Sequence, residues 1–207
     1  MNVKTPIDFW FDFSSPYAYI ASEWIDALAA RHGRSVRWHA ILLGVTFQAA
    51  ELRSPVAYPL KREYVMRDFA RSARFEGVPY VQPGKFPIST QNAARLFWHL
   101  TASDAEYGKQ WARCALRAYF TRGVDLSDPS TLASLAADFG IPDAAAIWSD
   151  QHWKEVLKCE NDAAVAAGVF GAPYFIVDGE PFWGNDRKAQ IAACLARICS
   201  PQLARQD

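Results

Sequence analysis

Along residues 7–13, Ile7, Phe9, Phe11 and Phe13 alternate with Asp8, Trp10 and Asp12. Large apolar groups fall in both registers, which predicts a strand buried on much of both faces. After Ser14-Ser15-Pro16 the period changes. Tyr17, Ile20 or Ala21, Trp24 or Ile25, and Leu28 recur at helical spacing until Gly33 ends the run. Pro16 suits the first helical position, where its missing N–H costs nothing. Val36–Leu43 reads as a second strand, so the N-terminal part predicts a right-handed parallel β-α-β unit.

The middle of the chain has a different pattern. Residues 44–59 read as irregular, with Ser54-Pro55 and Tyr58-Pro59 interrupting any helix. An amphipathic, charged helix is predicted over 60–76, followed by the stiff segment Val78–Gly84. Further helical patterns cover 90–101, 106–121, 130–139 and 143–149. Trp111, Ala115 and Tyr119 form an apolar stripe, with Arg113 and Arg117 on a more polar side. Another helix runs from 151 to about 167. Tyr174–Val177 then reads as a short strand, Asp178-Gly179 as a hairpin turn, and Glu180–Trp183 as the return strand. Pro181 argues for an edge position. Asn185 or Asp186 is positioned to cap a final helix, which Ser200-Pro201 would stop.

Composition narrows the function classes. The 207 residues include eight Trp and thirteen Phe and are 51% hydrophobic, enough for a substantial core. Twenty-two basic residues balance 22 acidic ones, so no overall field favours nucleic acid or an anionic membrane. No apolar run reaches the roughly 18–20 residues of a membrane span, and the N-terminus lacks a secretory signal pattern. The expectation is a cytoplasmic protein. Cys114, Cys159, Cys194 and Cys199 form no C-x-x-C pair and read as small, buried, reduced residues. The four histidines lack ligand spacing, so no metal site is expected.

Three short motifs could carry chemistry. Ser15 at the start of a helix could donate to a bound anion beside free N–H groups, or could simply cap the helix. No G-x-S-x-G elbow or matching base makes it a hydrolase nucleophile. Gly171-Ala172-Pro173 enters a strand. A cis bond there would present the Ala172 backbone to an extended ligand, and the alternative is a proline that only starts the strand. Trp183-Gly184-Asn185-Asp186-Arg187 opens a helix, where Asp186 could receive an amino group and the Asn185 region a carboxylate, or the segment is merely a cap. Lys61, Arg62, Arg67, Arg71 and Arg74 form a basic row that is either solvated or binds an anionic substrate.

The order β-α-β, helical block, α-β-β-α resembles a thioredoxin-like α/β fold with a helical insertion, of the DsbA kind. That likeness implies a thioredoxin-like domain of residues 1–44 and 151–207 around an insertion of residues 45–150. Where such a redox protein carries Cys-Pro-x-Cys, this chain has Ser15-Pro16-Tyr17-Ala18, which cannot form a disulfide. Phe11–Tyr17, Val169–Phe175 and Phe182–Arg187 resemble the signatures of the 2-hydroxychromene-2-carboxylate isomerase family, which is similar to the kappa-class glutathione transferases. The resemblance extends over nearly the whole chain, including Arg67-Asp68, Gly77-Val78-Pro79 and Phe86-Pro87.

The resemblance implies glutathione as cofactor, with Ser15 facing its sulfur and Tyr17 beside it. Ala172 and cis-Pro173 would hold the tripeptide backbone, and Asn185 and Asp186 its γ-glutamyl end. Family members often have an asparagine where this chain has Leu52-Arg53, so Arg53 is the candidate for that contact, and Lys61 matches a common lysine. The implied reaction is reversible thiolate addition to an unsaturated aromatic carboxylate, rotation about the former double bond, and elimination. Lys61 or an arginine of the basic row would pair with the substrate carboxylate. Glutathione transfer and non-catalytic peptide binding are the other readings of the same groove. Members of the family are often dimers, which makes a homodimer one candidate assembly, although the sequence shows no self-complementary patch.

Overall fold

The computed structural model describes residues 5–199. Strand β1 (Ile7–Phe11) lies second in a four-stranded sheet of order β2-β1-β3-β4. It runs parallel to β2 (Val36–Ala40) and antiparallel to β3 (Tyr174–Val177), which pairs with β4 (Glu180–Trp183). The register sets Phe9 between Trp38 and Phe175, with ring centroids 4.9 and 5.2 Å away. That aromatic row explains the first strand's high apolar content: one face builds the main core. On the opposite face, Trp10 joins Ile41, Ala164, Val169 and Tyr174 in a smaller cluster. Pro181 sits on β4, the edge strand, as its missing N–H requires.

The run expected as one helix after Pro16 is two, α1 (Pro16–Ser22) and α2 (Ile25–Arg31). At the break, the Ser22 hydroxyl donates to the Tyr19 carbonyl at 2.6 Å, and Glu23 and Trp24 make tightened bonds back to Ile20 and Ala21. The turn directs Trp24 inward against Phe175. Strand β2 also ends earlier than its apolar pattern suggests. The Leu42 N–H donates to Asn161 Oδ1 and the Leu43 N–H to Asp12 Oδ2, at 2.8 and 2.6 Å, so neither continues a ladder. Helix α3 (Leu43–Ala49) starts there, inside the segment expected to be irregular.

After a 3-10 turn at Pro55–Ala57 come α4 (Pro59–Phe75), α5 (Gln91–Ser103), α6 (Ala105–Arg122), α7 (Pro129–Asp138), α8 (Ala144–Ser149) and α9 (Gln151–Ala166). Asp104, Asp128 and Asp150 cap α6, α7 and α9 through their side chains. Trp111, Ala115 and Tyr119 are buried as expected, whereas Arg113 and Arg117 reach Asp26 and Glu23. Phe11 of β1 packs on Phe97 of α5, so the apolar core is continuous between sheet and helical segment.

A 3-10 turn at Asn185–Arg187 leads into α10 (Lys188–Cys199). The Ser200-Pro201 stop and the Cys199 side chain lie outside the described residues. Of the other cysteines, Cys194 is buried, Cys114 is half-buried and Cys159 is exposed on α9, which corrects the expectation that all are interior. Among the described residues, no helix is long and apolar enough to cross a membrane.

Candidate active site

The turn from β1 into α1 is organised by Asp12, only 3% exposed although it is a carboxylate. Its Oδ1 accepts from the Ser14 N–H at 2.7 Å, the Ser14 hydroxyl at 2.8 Å and the Thr90 hydroxyl at 3.0 Å. Its Oδ2 takes the Leu43 N–H already described. Burial holds the Asp12 pKa above the ordinary aspartate value, with these hydrogen bonds pulling the other way. Asp12 thus joins the turn to the starts of α3 and α5. Its signal in sequence was slight: one carboxylate between two phenylalanines ahead of a Ser-Ser pair.

Ser15 is the N-cap of α1, and its Oγ accepts the Ala18 N–H at 3.2 Å. The same hydroxyl donates to the Ala172 carbonyl at 2.8 Å, across 157 residues of sequence. The helix cap is therefore also part of a cleft wall: Ser15 is 4% exposed and lines a cleft of about 480 Å³. The Ala172–Pro173 bond is cis, as is Phe86–Pro87. Gly171 completes this edge. A Cβ there would come within 2.4 Å of Trp183 Nε1, so only glycine lets that indole close against the backbone. The Pro173 carbonyl accepts the Gly184 N–H at 3.1 Å, which ties the strand entry to the following helix start.

Tyr17 also lines the cleft, and its hydroxyl donates to Asp68 Oδ2 at 2.5 Å. Arg71 and Ser72, one turn further along α4, bond to the same carboxylate. Burial and then Asp68 push the Tyr17 phenol far above its usual pKa, so it acts as a neutral donor. Burial alone would raise the Asp68 pKa, but Tyr17 and Arg71 outweigh it and hold the carboxyl below its usual range. Phe69 and Phe86 complete an aromatic wall beside Tyr17, with ring centroids 5.0 Å from Tyr17 to Phe69 and 5.6 Å from Phe69 to Phe86.

The remaining candidate residues lie elsewhere. Asn185 is buried, and its Oδ1 accepts from the Trp24 indole at 2.8 Å, so its side-chain oxygen is engaged inside the fold and caps no helix. Asp186 has a 69% exposed side chain paired with Arg187 at 2.7 Å, and it does not cap either. Gly184 holds the cap position at φ +111°. Asn185 and Asp186 line a second cleft of about 660 Å³ with Arg31, Arg71, Glu76 and Lys188. The Tyr17–Asp68–Arg71 chain links this cleft to the first. Arg53 is exposed in the loop before Ser54, and Lys61 is exposed with its ammonium 5.1 Å from the Tyr58 ring centroid. Neither lines the first cleft. Among the described residues, no Lys, Arg or His does.

The cleft wall joins the Gly171–Ala172 backbone to the Ser15 hydroxyl, which stands where a redox protein of this fold would present sulfur. The DSBA-like thioredoxin domain, as a family, matches residues 6–196. The 2-hydroxychromene-2-carboxylate isomerase of Sphingobium xenophagum is 32% identical over 191 residues, covering 87% of this chain and 93% of that one. The chain belongs to the DsbA-like family, in its 2-hydroxychromene-2-carboxylate isomerase group. Glutathione S-transferase kappa 2 of Caenorhabditis elegans is 29% identical over 216 residues, covering 95% and 94% of the two chains. Among solved structures, a 2-hydroxychromene-2-carboxylate isomerase superposes with a TM-score of 0.85 at 24% identity, over 98% of this chain and 100% of that one. Within this DsbA-like group, the present chain carries Ser15 and Ala18 where a disulfide oxidoreductase needs its two cysteines.

Proposed function

We propose that this protein is a glutathione-dependent isomerase that interconverts geometric isomers of a conjugated, ring-bearing carbonyl compound. The observation that carries the reading is the meeting of the Ser15 hydroxyl and the Ala172 backbone at the wall of an apolar cleft. When bound, glutathione supplies a thiolate that adds to the conjugated double bond and leaves unchanged after rotation about the resulting single bond.

The fit to glutathione rests on the backbone that lines the cleft beside Ser15. Gly171 and Ala172 provide a backbone edge for a tripeptide, with Trp183 packed alongside. Asn185 and Asp186 offer polar groups in the neighbouring cleft for the γ-glutamyl end, and Lys61 and Arg53 are cations outside the first cleft for its carboxylates. Ser15 has one hydroxyl proton. It turns from the Ala172 carbonyl to the sulfur, stabilising negative charge there when the thiolate is free and when it departs. Tyr17, already committed to Asp68, positions α4 and its aromatic wall over α1. The rings of Phe69 and Phe86, with Leu42, Leu43 and Val56, exclude water from the reacting bond.

Glutathione transfer is the second reading, favoured by the kappa 2 relative. The two share their site residues and differ in stoichiometry. Thermal-shift titration with glutathione comes first: a rising midpoint up to millimolar concentration is expected, and no shift removes the basis of both readings. Free glutathione is then followed during turnover of a conjugated ketone. Isomerisation at constant free glutathione supports the proposal, and stoichiometric consumption assigns the transferase.

A further inference from the structure

The wall around Ser15 consists of Leu42, Leu43, Val45, Val56, Phe69 and Phe86, among other apolar groups, and contains no cation among the described residues. Its one ionisable carboxyl is Asp12, whose oxygens are already taken by Ser14, Thr90 and Leu43. Tyr17 donates its only hydroxyl proton to Asp68. Ser54 and Ser89 contribute neutral hydroxyls. A substrate carboxylate drawn into this cleft would lose water, find no ammonium or guanidinium, and face a buried acid. Removing a carboxylate from water without a paired cation is strongly unfavourable, whereas a flat neutral ring gains from the same surface. In the basic row Arg71 is turned onto Asp68, Arg67 pairs with Glu63 at 3.5 Å and Lys61 lies over Tyr58, and neither these nor Arg62, Arg74 or the nearby Arg53 line the cleft.

We propose that the cleft selects an uncharged aryl enone and discriminates against the corresponding α-keto carboxylate. The isomerase proposed for this site thereby serves neutral electrophiles, unlike the acid in the names of its relatives. This inference rests on the glutathione-dependent reading for its chemistry, but the charge selection concerns binding alone. In the chemical step no external oxidant or reductant is needed. The sulfur lone pair forms a C–S bond as the π pair moves to the carbonyl oxygen, and the return of that pair breaks the C–S bond after rotation.

A matched pair of probes tests it: cis-benzylideneacetone and cis-benzylidenepyruvate, which share ring and enone and differ in methyl against carboxylate. Dissociation constants are measured by calorimetry on the full-length protein without glutathione. The kcat/KM for isomerisation is measured with glutathione, each value divided by the rate of the uncatalysed glutathione-promoted reaction. The ketone is expected to be favoured by about tenfold in both quantities. A ketone preference in binding below fivefold, any preference for the acid, or no binding of either at millimolar concentration overturns the inference. Tighter ketone binding without glutathione-dependent turnover leaves the charge selection standing and removes the isomerase reading instead.

Discussion

At Ser15 a single hydroxyl proton serves two demands. In the structure it is donated to Ala172, while the oxygen caps α1 through the Ala18 N–H. Ser15→Ala removes both bonds, and urea denaturation is expected to show a loss of about 1–2 kcal/mol. If the hydroxyl also steadies sulfur charge, kcat for glutathione-dependent isomerisation falls by roughly 10²–10³-fold with the protein still folded. A variant that loses stability but keeps kcat would confine Ser15 to capping. The cap was legible from Ser-Pro ahead of a helical period. Ala172 as the hydroxyl's acceptor was legible only as a separate motif. Asp12 was the least legible residue of the site, because the donors Leu43 and Thr90 that satisfy it lie 31 and 78 positions away. No local pattern announces a buried carboxylate whose partners come from the starts of two other helices.

Among the elements, the β3–β4 hairpin shows the same division between local and distant causes. Asp178 at φ +50° and Gly179 at φ +90° form the turn that their sequence predicts. Aspartate tolerates this left-handed region better than most side chains. What anchors the turn is Arg34, 3% exposed by side chain. Its guanidinium meets both Asp178 oxygens at 2.9 and 2.7 Å, and its Nε donates to the Thr5 carbonyl at 2.6 Å. Arg34 holds the Asp178 carboxyl below its usual pKa, against an opposing effect of burial. This contribution is present above the ordinary aspartate value near pH 3.9 and is lost as pH falls through the depressed folded value. Arg34→Met is expected to cost about 2–3 kcal/mol in urea unfolding with an unchanged m-value, since a partly exposed aspartate is left without its bidentate partner. A loss under 0.5 kcal/mol would show that water replaces the guanidinium at little cost. The helix after Pro16 was less legible. Its period continues through Glu23, but Trp24 gains more by turning onto Phe175 and donating to Asn185 than by continuing the helix.

Across the whole molecule, His39 on β2 joins the sheet to α9. Its Nε2 is 2.9 Å from Asp8 on β1, its Nδ1 3.7 Å from Glu160 on α9, and its ring stacks on Trp10 with centroids 4.0 Å apart. Arg37 lies 3.7 Å from the same Asp8 oxygen. Burial alone would lower the His39 pKa, but the Asp8 hydrogen bond and the Glu160 carboxylate outweigh it and raise it. A raised folded pKa contributes stability that is fully present below the unfolded value near 6.5 and is lost as pH rises through the folded value. Wild-type stability relative to His39→Gln is therefore expected to be greater at pH 6 than at pH 9 in urea titrations. An equal difference at both values would mean that folding leaves the His39 pKa unshifted, and a smaller difference at pH 6 that the folded imidazole stays neutral. Sequence by itself determined the strands, the hairpin, the proline edge strand and the capped turn, because each follows from spacing and backbone preference within a few residues. The tertiary structure alone decided that Ser15 meets Ala172, that Asp12 ties three segments together, and that no basic side chain of α4 lines the first cleft. Those outcomes depend on which distant surfaces pack against one another, which local periodicity does not encode.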